Sequence, residues 1–440
     1  MELIYGIKDK PSFGKVLLFA IQQLLAIMAA TIAVPAIVGH GLTASAALFG
    51  AGVGTIVYLL FTKSASPVFL GSSFAFIGSM LSAFAGAASV QIGYWGLIIG
   101  ALMAGLVYVI IAIIVKFCGV SWIDKLMPPV IIGPTVAIIG LSLAPNAVGD
   151  LMKSTVQGGS PYVALICGLV TLFVTMLSST YGKKIGRLIP FILGILAGYI
   201  LASIFALIGN LTDMPSLIVI NYSAIENIKG FFALPDFTFI LGGSEGLKGI
   251  TGTYLLTIFA AYVPVAFVVF AEHLADHKNL STIVGVNLLE EPGLTRTLLG
   301  DGIGTMVSTL FGGCPNTTYG ESIGCVAITR NASTVSIWGC AALCILFSMI
   351  SPLVAFLETI PNCVMGGVCI ALYGFIAVSG FKMFQTVDLN KNKNLFVASI
   401  IFITGVGGMV VSFGQIQIRT VACALILGIV TNVILSKESN

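Results

Sequence analysis

The chain has 440 residues, of which 58% are apolar and only 8% are Asp, Glu, Lys or Arg, whereas about 25% of residues are charged in an ordinary soluble protein. These charges are too few to cover a solvated surface, so the composition excludes a water-soluble domain and a disordered chain and predicts a polytopic membrane protein. The net charge of +3 is scattered and forms no basic stripe, so we expect no nucleic-acid partner.

Apolar runs bounded by glycine, proline and charged residues predict an all-α membrane protein. The charged N-terminal tail ahead of the first run lacks the small-residue pattern of a cleavage site and is expected to be retained. The fourteen predicted spans cover residues 15–38, 45–62, 67–84, 93–117, 127–144, 161–179, 187–209, 251–276, 297–312, 315–330, 333–356, 362–380, 394–412 and 417–436.

The positions of lysine and arginine orient these spans. With a cytoplasmic N-terminus, sixteen of the 20 basic residues fall on the cytoplasmic side, as the positive-inside rule predicts. The other four are Lys153, Lys229, Lys248 and Arg419. We therefore expect both termini in the cytoplasm, an extracellular loop at residues 211–250, and a location in the plasma membrane, which is the inner membrane in a bacterium.

An internal repeat relates the second predicted span to the ninth. GAGVGTIVYLLF and GDGIGTMVSTLF, which begin at Gly50 and Gly300, are identical at seven of twelve positions without a gap. Because seven is an odd number of spans, the resulting seven-span halves are predicted to be inverted in the membrane, as in many secondary transporters. The further matches, in the same order, are Gly71 with Gly320, and Pro128–Gly133 with Pro361–Gly366.

The third and tenth predicted spans are interrupted. They are short, rich in glycine, serine and threonine, and begin with Pro67 and Pro315. Unwound backbone in corresponding spans of two halves offers free N–H and C=O groups, which predicts a substrate site near the middle of the membrane. Two kinked packing helices without a ligand are the alternative. Side chains of the predicted pocket include Ser72, Phe74 and Tyr319.

Three acidic residues besides Asp301 lie inside predicted spans. Glu272 and Asp276 are one helical turn apart on the same face of the eighth span, and Glu321 follows Gly320 in the tenth. A carboxylate in the membrane is costly and usually faces a partner or a water-filled cavity, so all three are candidate functional residues. For Asp276, a position at the membrane interface is the alternative.

Two further ionisable residues receive other interpretations. His273 follows Glu272 but points about 100° away from it on a helix, which favours a packing or hydrogen-bonding role. Asp301 lies near a span end, where a role at a helix start or in gating is as consistent as any chemistry.

The nine cysteines lie within or beside apolar runs, and the sequence contains no CxxC pair or Cys/His cluster. We therefore expect small buried side chains, with no disulfide framework and no metal site. No cofactor is expected apart from a coupling ion.

Three segments of the chain, PVFLGSSFAF, VVFAEHLAD and PNTTYGESIGCVAITR, resemble the nucleobase-ascorbate transporter family, and most closely its bacterial members that carry uracil. The resemblance covers essentially the whole chain. It implies short antiparallel strands in the third and tenth spans and a homodimer formed through a gate domain. The implied core domain (spans 1–4 and 8–11) covers residues 1–125 and 251–358, and the implied gate domain (spans 5–7 and 12–14) covers 126–210 and 359–440.

The resemblance also implies roles for single residues. Glu272 and Glu321 match the two substrate-binding carboxylates of the family. Phe74 and Gly320 match residues whose backbone contacts the base, and Asp276 matches the site tied to proton coupling.

The sequence departs from the family pattern at two positions. Gln23 stands in the first span where many relatives have histidine, which puts the role of that histidine in doubt here. Some uracil carriers have histidine at the position of Asp276, so coupling can differ in detail.

Uracil suits these residues because its ring presents two N–H donors and two C=O acceptors, which carboxylates and free backbone N–H groups can pair. The ring is neutral, so uptake against a gradient requires a coupled cation. Burial disfavours the charged form of a carboxylate, which makes Glu272 and Asp276 candidate proton carriers. We expect a secondary transporter that imports uracil by proton symport, with Na⁺ not excluded, and not an enzyme.

Other functions are weighed against this one. A symporter for xanthine, uric acid or another purine would keep the same fold, whereas an anion carrier would be expected to lack the pair Glu272 and Glu321. An intramembrane aspartyl hydrolase also needs two buried acids, but its GxGD pattern is incomplete before Asp301, where Leu298 replaces the first glycine.

Overall fold

Long apolar helices make up most of the structure, a computed structural model that describes residues 3–183, 185–235, 237, 244–413 and 416–438. A helix pairs its backbone N–H and C=O groups within its own segment, as a chain surrounded by lipid requires. In the described part of the chain, eight helices have at least 18 residues and are apolar enough to cross a membrane. The chain is thus mostly helical and suited to several membrane crossings.

The first half of the chain extends from the N-terminal tail to residue 211. Its elements are α1 (Phe13–Val38), α2 (Ala44–Phe61), β1 (Leu70–Ser72), the 3₁₀ turn Phe74–Phe76, α3 (Ile77–Ala85), α4 (Val90–Cys118), α5 (Ser121–Leu126), α6 (Pro129–Leu151), α7 (Pro161–Tyr181), α8 (Ile185–Leu188) and α9 (Pro190–Leu211).

The second half begins with the polar stretch that was predicted as a loop, of which residues 236 and 238–243 lie outside the described residues. Its elements are the 3₁₀ turn Pro215–Leu217, α10 (Ser223–Glu226), α11 (Ser244–Lys248), α12 (Gly252–Val284), the turn Leu289–Gly293, α13 (Leu294–Leu310), β2 (Asn316–Thr318), α14 (Gly320–Thr329), α15 (Thr334–Ser348), α16 (Ser351–Glu358), α17 (Asn362–Phe384), α18 (Asn392–Val406), β3 (Val411–Phe413), β4 (Ile416–Ile418), α19 (Thr420–Ile434) and the 3₁₀ turn Leu435–Glu438.

The predicted spans coincide with helices, or with a strand followed by a helix, but one of them is broken. The eleventh, predicted at 333–356, is divided into α15 and α16. Pro352 lies in the first turn of α16 and has no N–H group with which to continue the preceding helix. The Met349 carbonyl instead accepts a hydrogen bond from the Ala233 N–H at 3.0 Å.

Three other spans differ clearly from the prediction in length. The fifth, predicted at 127–144, continues as α6 to Leu151. The eighth, predicted at 251–276, continues as α12 to Val284 and ends at Gly285, whose φ of 73° lies in the left-handed region that favours glycine. The thirteenth, predicted at 394–412, ends as a helix at Val406. Strand β3 follows and pairs antiparallel with β4.

The two interrupted spans meet at their strands. Strand β1 pairs antiparallel with β2, with Gly71 opposite Thr317 at the centre. Hydrogen bonds from Ser73 N to Pro315 O (2.8 Å) and from Tyr319 N to Phe69 O (3.2 Å) extend the pairing at both ends. All six strand residues are buried, as irregular backbone at membrane depth requires. The strands predicted in the third and tenth spans are confirmed.

Glycines allow the helices of the repeat to pack closely and antiparallel. A Cβ atom on Gly54 of α2 would lie 3.0 Å from the Gly304 carbonyl oxygen of α13, and a Cβ atom on Gly304 would lie 2.8 Å from the Gly54 carbonyl oxygen. Gly50 faces Ser308, and Gly300 faces Tyr58. Small residues permit such backbone contact between helices in membranes.

Helices α6 and α17 pack in the same way along most of their lengths. A Cβ atom on Gly380 would lie 2.5 Å from the Gly133 carbonyl oxygen, and a Cβ atom on Gly366 would lie 3.0 Å from the Ala147 carbonyl oxygen. These two glycine contacts hold opposite ends of the same helix pair.

Candidate functional site

Two short helical segments begin where the central strands end. The 3₁₀ turn and α3 follow β1 from Phe74 onward, and α14 follows β2 from Gly320. The first N–H groups of a helix have no partner within it, and its N-terminus carries partial positive charge. The interrupted spans therefore direct backbone donors towards the middle of the molecule.

The predicted acids meet at one cavity. A space of about 330 Å³ is lined by Glu272 and Asp276 of α12 and by Glu321 in the first turn of α14. Phe74 and Gly320 line the same cavity. Its volume is in the range of about 300–1,000 Å³ that is typical of small-molecule sites. The structure therefore brings together two predicted substrate carboxylates, both predicted backbone contacts and the predicted coupling residue.

Tyr319 also lines the cavity, whereas Ser72 does not. The Tyr319 hydroxyl donates to the Ser72 carbonyl oxygen at 2.7 Å, and its ring covers Gly71, where a Cβ atom would lie 2.3 Å from the ring. Ser72 is fully buried in β1. In this arrangement Ser72 fixes the aromatic ring, and its own side chain does not reach the cavity.

Asp276 is tied to the strand pair as well as to the cavity. The Thr318 hydroxyl of β2 donates to the Asp276 carboxylate at 2.7 Å. This bond connects the acidic face of α12 directly to the interrupted tenth span. A change in the protonation of Asp276 would therefore act on β2 without an intermediate group.

Gln23, which replaces the family histidine, supports the same elements from α1. Its side-chain amide donates to the Ser322 carbonyl at 3.2 Å and to the Ser322 hydroxyl. That hydroxyl also accepts a hydrogen bond from the Phe69 N–H at 2.9 Å. Gln23 is buried and does not line the cavity. The amide thus links α1, α14 and the start of β1.

A buried pair behind the acids was not predicted. His273 Nδ1 lies 2.7 Å from the Asp301 carboxylate, and His273 Nε2 lies 3.0 Å from the Thr297 hydroxyl. Because Thr297 donates to the Leu294 carbonyl, it accepts from Nε2–H. One proton is then shared between Nδ1 and the carboxylate. Asp301 lies inside α13, so a position at the helix start, one of the alternatives left open for it, does not apply.

His277 lies one turn further along α12, and its ring contacts neutral groups. Its ring stacks on His273 at 4.1 Å, its Nδ1 contacts the His273 carbonyl at 2.8 Å, and its Nε2 contacts the Tyr58 hydroxyl at 2.8 Å. Helix α12 therefore carries acids on the cavity face and histidines on the adjacent buried face. The i, i+4 spacing of the two histidines was the available sequence signal, and the packing role predicted for His273 agrees with these bonds.

A second cavity of about 240 Å³ lies on the other side of Phe74. It is lined by polar side chains that include Ser79, Asn146 and Arg419. The Phe74 ring packs edge-on against Tyr373 of α17, with ring centroids 5.6 Å apart. Phe74 and its neighbours thus separate the two cavities.

The cysteines and the other ionisable groups add no metal site to this picture. All nine cysteines are free, and eight of them are buried. Within the described ranges, no cluster of three or more His, Cys, Asp or Glu side chains could hold a metal ion.

Comparisons with known proteins agree with this geometry. The sequence matches the profile of a family described as "Permease family" over residues 14–413. It is 38% identical over 435 residues to the uracil permease of Bacillus caldolyticus, covering 98% of this chain and 94% of the relative. It is 36% identical to the uracil permease of Escherichia coli K12, covering 96% and 92% of the two chains.

Among solved structures, the fold is similar to the transmembrane domain of a cyanobacterial bicarbonate transporter, BicA. The TM-score is 0.65 at 16% identity, and the match covers 97% of this chain and all of the other. At this identity the likeness shows a shared fold and nothing about the substrate.

Proposed function

Since the chain belongs to this permease family, the nucleobase-ascorbate transporters, and is a multi-pass membrane protein, we propose that it imports uracil by proton symport across the bacterial plasma membrane. The proposal depends above all on the cavity that Glu272 and Glu321 line together at the N-terminus of α14. Relatives at 36–38% identity are uracil permeases, which supports a pyrimidine base as the substrate.

The chemistry of the cavity suits a flat ring with donors and acceptors on its edge. The two carboxylates accept the ring N–H groups, and the free backbone N–H groups at Gly320 and Phe74 donate to its carbonyl oxygens. Tyr319 offers an aromatic wall. A charge-assisted hydrogen bond of this kind contributes roughly 1.5–3 kcal/mol.

The proposal includes fourteen spans arranged as two inverted halves. Matching positions of the repeat in α2 and α13 are 300 − 50 = 250 residues apart, so Gly50 corresponds to Gly300 and Tyr58 to Ser308. Exchanging the two halves therefore converts the contact between Gly50 and Ser308 into the contact between Gly300 and Tyr58. Both contacts are present, which supports the proposal. An exchange of the same kind relates the contacts of α6 and α17, where Pro128 matches Pro361 and the offset is 361 − 128 = 233. It converts the contact between Gly133 and Gly380 into the contact between Gly366 and Ala147. A two-fold axis in the membrane plane produces such reciprocal contacts.

The proposed core domain comprises residues 1–125 and 251–358, and the proposed gate domain comprises 126–210 and 359–440. The site cavity lies between them, because α12 and α14 form one wall and Phe375 of α17 lies on the other. The extensive packing of α6 on α17 lies within the gate group. A homodimer through the gate domain, with both termini cytoplasmic, completes the proposal.

The two cavities support alternating access. The site cavity extends to Ser179, Arg187 and Met383, which lie on the cytoplasmic side in the predicted orientation. The second cavity reaches Asn146 and Arg419 on the predicted extracellular side. In this conformation the base would exchange with the cytoplasm, and movement of the core past the gate would open the opposite path.

Proton coupling is assigned to Asp276 together with Glu272. Asp276 lines the cavity and accepts a hydrogen bond from Thr318 of β2. Binding of the base in the cavity and protonation of Asp276 therefore both affect β2. A neutral substrate gains no driving force from the membrane potential, whereas a co-transported proton supplies one.

A panel of competing bases tests the substrate class. Unlabelled uracil is expected to inhibit the uptake of radiolabelled uracil into cells that express the protein. Cytosine lacks one ring N–H donor, so the same inhibition is expected to need at least about a tenfold higher concentration of cytosine. Stronger inhibition by xanthine or uric acid than by uracil would replace the pyrimidine assignment with a purine one.

A further inference from the structure

The N-terminal tail is bound to the turn that ends α14. The backbone N–H groups of Ile4 and Tyr5 donate to the Arg330 carbonyl at 2.8 and 3.3 Å, and the Ala332 N–H donates to the Tyr5 carbonyl at 2.9 Å. Tyr5 also forms a parallel β-bridge with Asn331. These bonds attach residues 4 and 5 to the segment that follows α14.

The contact continues to the first turn of α15. The Thr334 N–H and hydroxyl both donate to the Ile7 carbonyl, at 3.2 and 3.1 Å. The Ser333 hydroxyl donates to the Asp9 carbonyl at 2.6 Å. Residues 3–9, which we call the strap, therefore bridge the end of α14 and the start of α15.

The apolar side chains of the strap lie under the substrate elements. Leu3 and Ile7 pack against a buried cluster that includes Leu70 of β1, Leu280 of α12 and Ile323 of α14. Each of these elements also supplies part of the candidate site or its strand pair. The strap thus contacts the back of the wall whose front faces the cavity.

Helix α14 is held at both ends. Glu321 lies in its first turn, where Gln23 and the strand pair fix it, and Arg330 follows its last residue. Ten helical residues span roughly 15 Å. A helix fixed only at the substrate end could tilt about that end, whereas the strap holds the far end against α15.

We propose that the strap is a positioning segment for the base: by fixing the far end of α14, it sets the position of Glu321 and hence the affinity of the cavity for its substrate. The proposal rests on the proposed function. None of residues 3–9 lines the site cavity, so the strap acts on the base through the elements that it contacts, and α14 connects it to Glu321.

The test compares Ile4→Pro with Ile4→Ala. Ile4 is 60% exposed, so both variants lose little packing. Only proline removes the Ile4 N–H, which makes the shorter of the two hydrogen bonds to the Arg330 carbonyl. In purified full-length protein, the dissociation constant for radiolabelled uracil is expected to rise about fivefold or more in Ile4→Pro, as for the loss of one hydrogen bond, and to stay within about twofold in Ile4→Ala. Hydrogen exchange across residues 320–329 is expected to increase in Ile4→Pro only.

Uracil binding within about twofold of the unmodified protein in Ile4→Pro, or unchanged hydrogen exchange in α14, would overturn the proposal. If Ile4→Pro does not yield a monodisperse protein, Thr334→Val removes the hydroxyl bond to Ile7 at the other end of the strap and serves as the second variant, judged by the same two measurements. Failure of the unmodified protein to bind uracil would instead reject the proposed function, so the two failures are distinct.

Discussion

At the scale of single residues, the position of Glu321 determines which hydrogen bonds the cavity could form with a base. The side chain lies in the first turn of α14, beside free backbone N–H groups, and lines the cavity together with Glu272. An acceptor and several donors then lie next to one another, which matches the alternating edge of a pyrimidinedione ring.

Replacing Glu321 by glutamine keeps the shape and removes the charge. We expect equilibrium uracil binding to weaken about tenfold or more, because a charge-assisted hydrogen bond of roughly 1.5–3 kcal/mol is lost. Scintillation proximity binding with radiolabelled uracil measures the change, and Glu226→Gln in the exposed segment α10 is the matched control. Binding within about twofold of the unmodified protein would remove Glu321 from the site.

Asp276→Asn separates coupling from binding. Asparagine can still accept the hydrogen bond from Thr318, so the geometry of β2 should persist, but the side chain can no longer take up and release a proton. We expect uracil binding and uracil–uracil exchange to remain measurable while accumulation against a gradient is lost. Thr318→Val is the control that removes the bond and keeps the carboxylate. Full accumulation in Asp276→Asn would assign coupling to another group.

The His273–Asp301 pair is expected to stabilise the protein as a unit. His273→Leu leaves Asp301 buried without its partner, and breaking a buried pair in this way costs about 3–5 kcal/mol. The unfolding temperature in detergent should therefore fall in the single variant and recover in part in His273→Leu/Asp301→Asn. A double variant whose loss equals the sum of the two single losses would show that the side chains act independently.

At the scale of elements, the sequence predicts where the helices lie better than it predicts where they break. Membrane spans can be recognised in the sequence because the lipid requires apolar side chains along the whole segment. The break between α15 and α16 was missed, since it depends on Pro352 and on a backbone bond from Ala233, more than 100 residues away. The strands followed from the family resemblance, because LGS and NTT have three residues each and are too short to show the alternating pattern of a strand.

The i, i+4 spacing of Glu272 and Asp276 predicted the acidic face of α12. His273 and His277 have the same spacing, but no histidine face was predicted from it. The partner of His273 lies on another helix, 28 residues away, and a single sequence does not report such contacts. Pairing between the N-terminal tail and residues 330–334 was missed for the same reason.

Gly71 is expected to be essential for the strand pair. A Cβ atom there would lie 2.3 Å from the Tyr319 ring, so Gly71→Ala must displace that ring from the cavity wall and from its bond to Ser72. We expect uracil affinity to fall at least about tenfold, as for an unsatisfied buried polar group. Gly78→Ala is the matched control, because its Cβ atom would meet nothing within 4 Å. Equal binding in both variants would contradict the packing described for Tyr319.

At the scale of the whole molecule, the repeat found in the sequence is the basis for the proposed architecture of two inverted halves. Six of its seven identities fall within α2 and α13, and the seventh, Phe311, directly follows α13. The two helices pack antiparallel through Gly54 and Gly304. The sequence alone could relate these helices, but it could not show that they touch, because helix contacts in membranes depend on where small residues coincide in space.

The most direct test of the central claim is uptake by purified protein in liposomes under an imposed proton gradient. With an acidic exterior, radiolabelled uracil is expected to accumulate inside above its external concentration, to equilibrate when a protonophore is added, and to be unaffected when sodium is replaced by choline. Liposomes that carry Glu321→Gln should accumulate far less. Accumulation driven by a sodium gradient with the proton gradient clamped at zero, or no uracil uptake at all, would contradict the assignment of this protein as a proton-coupled uracil importer.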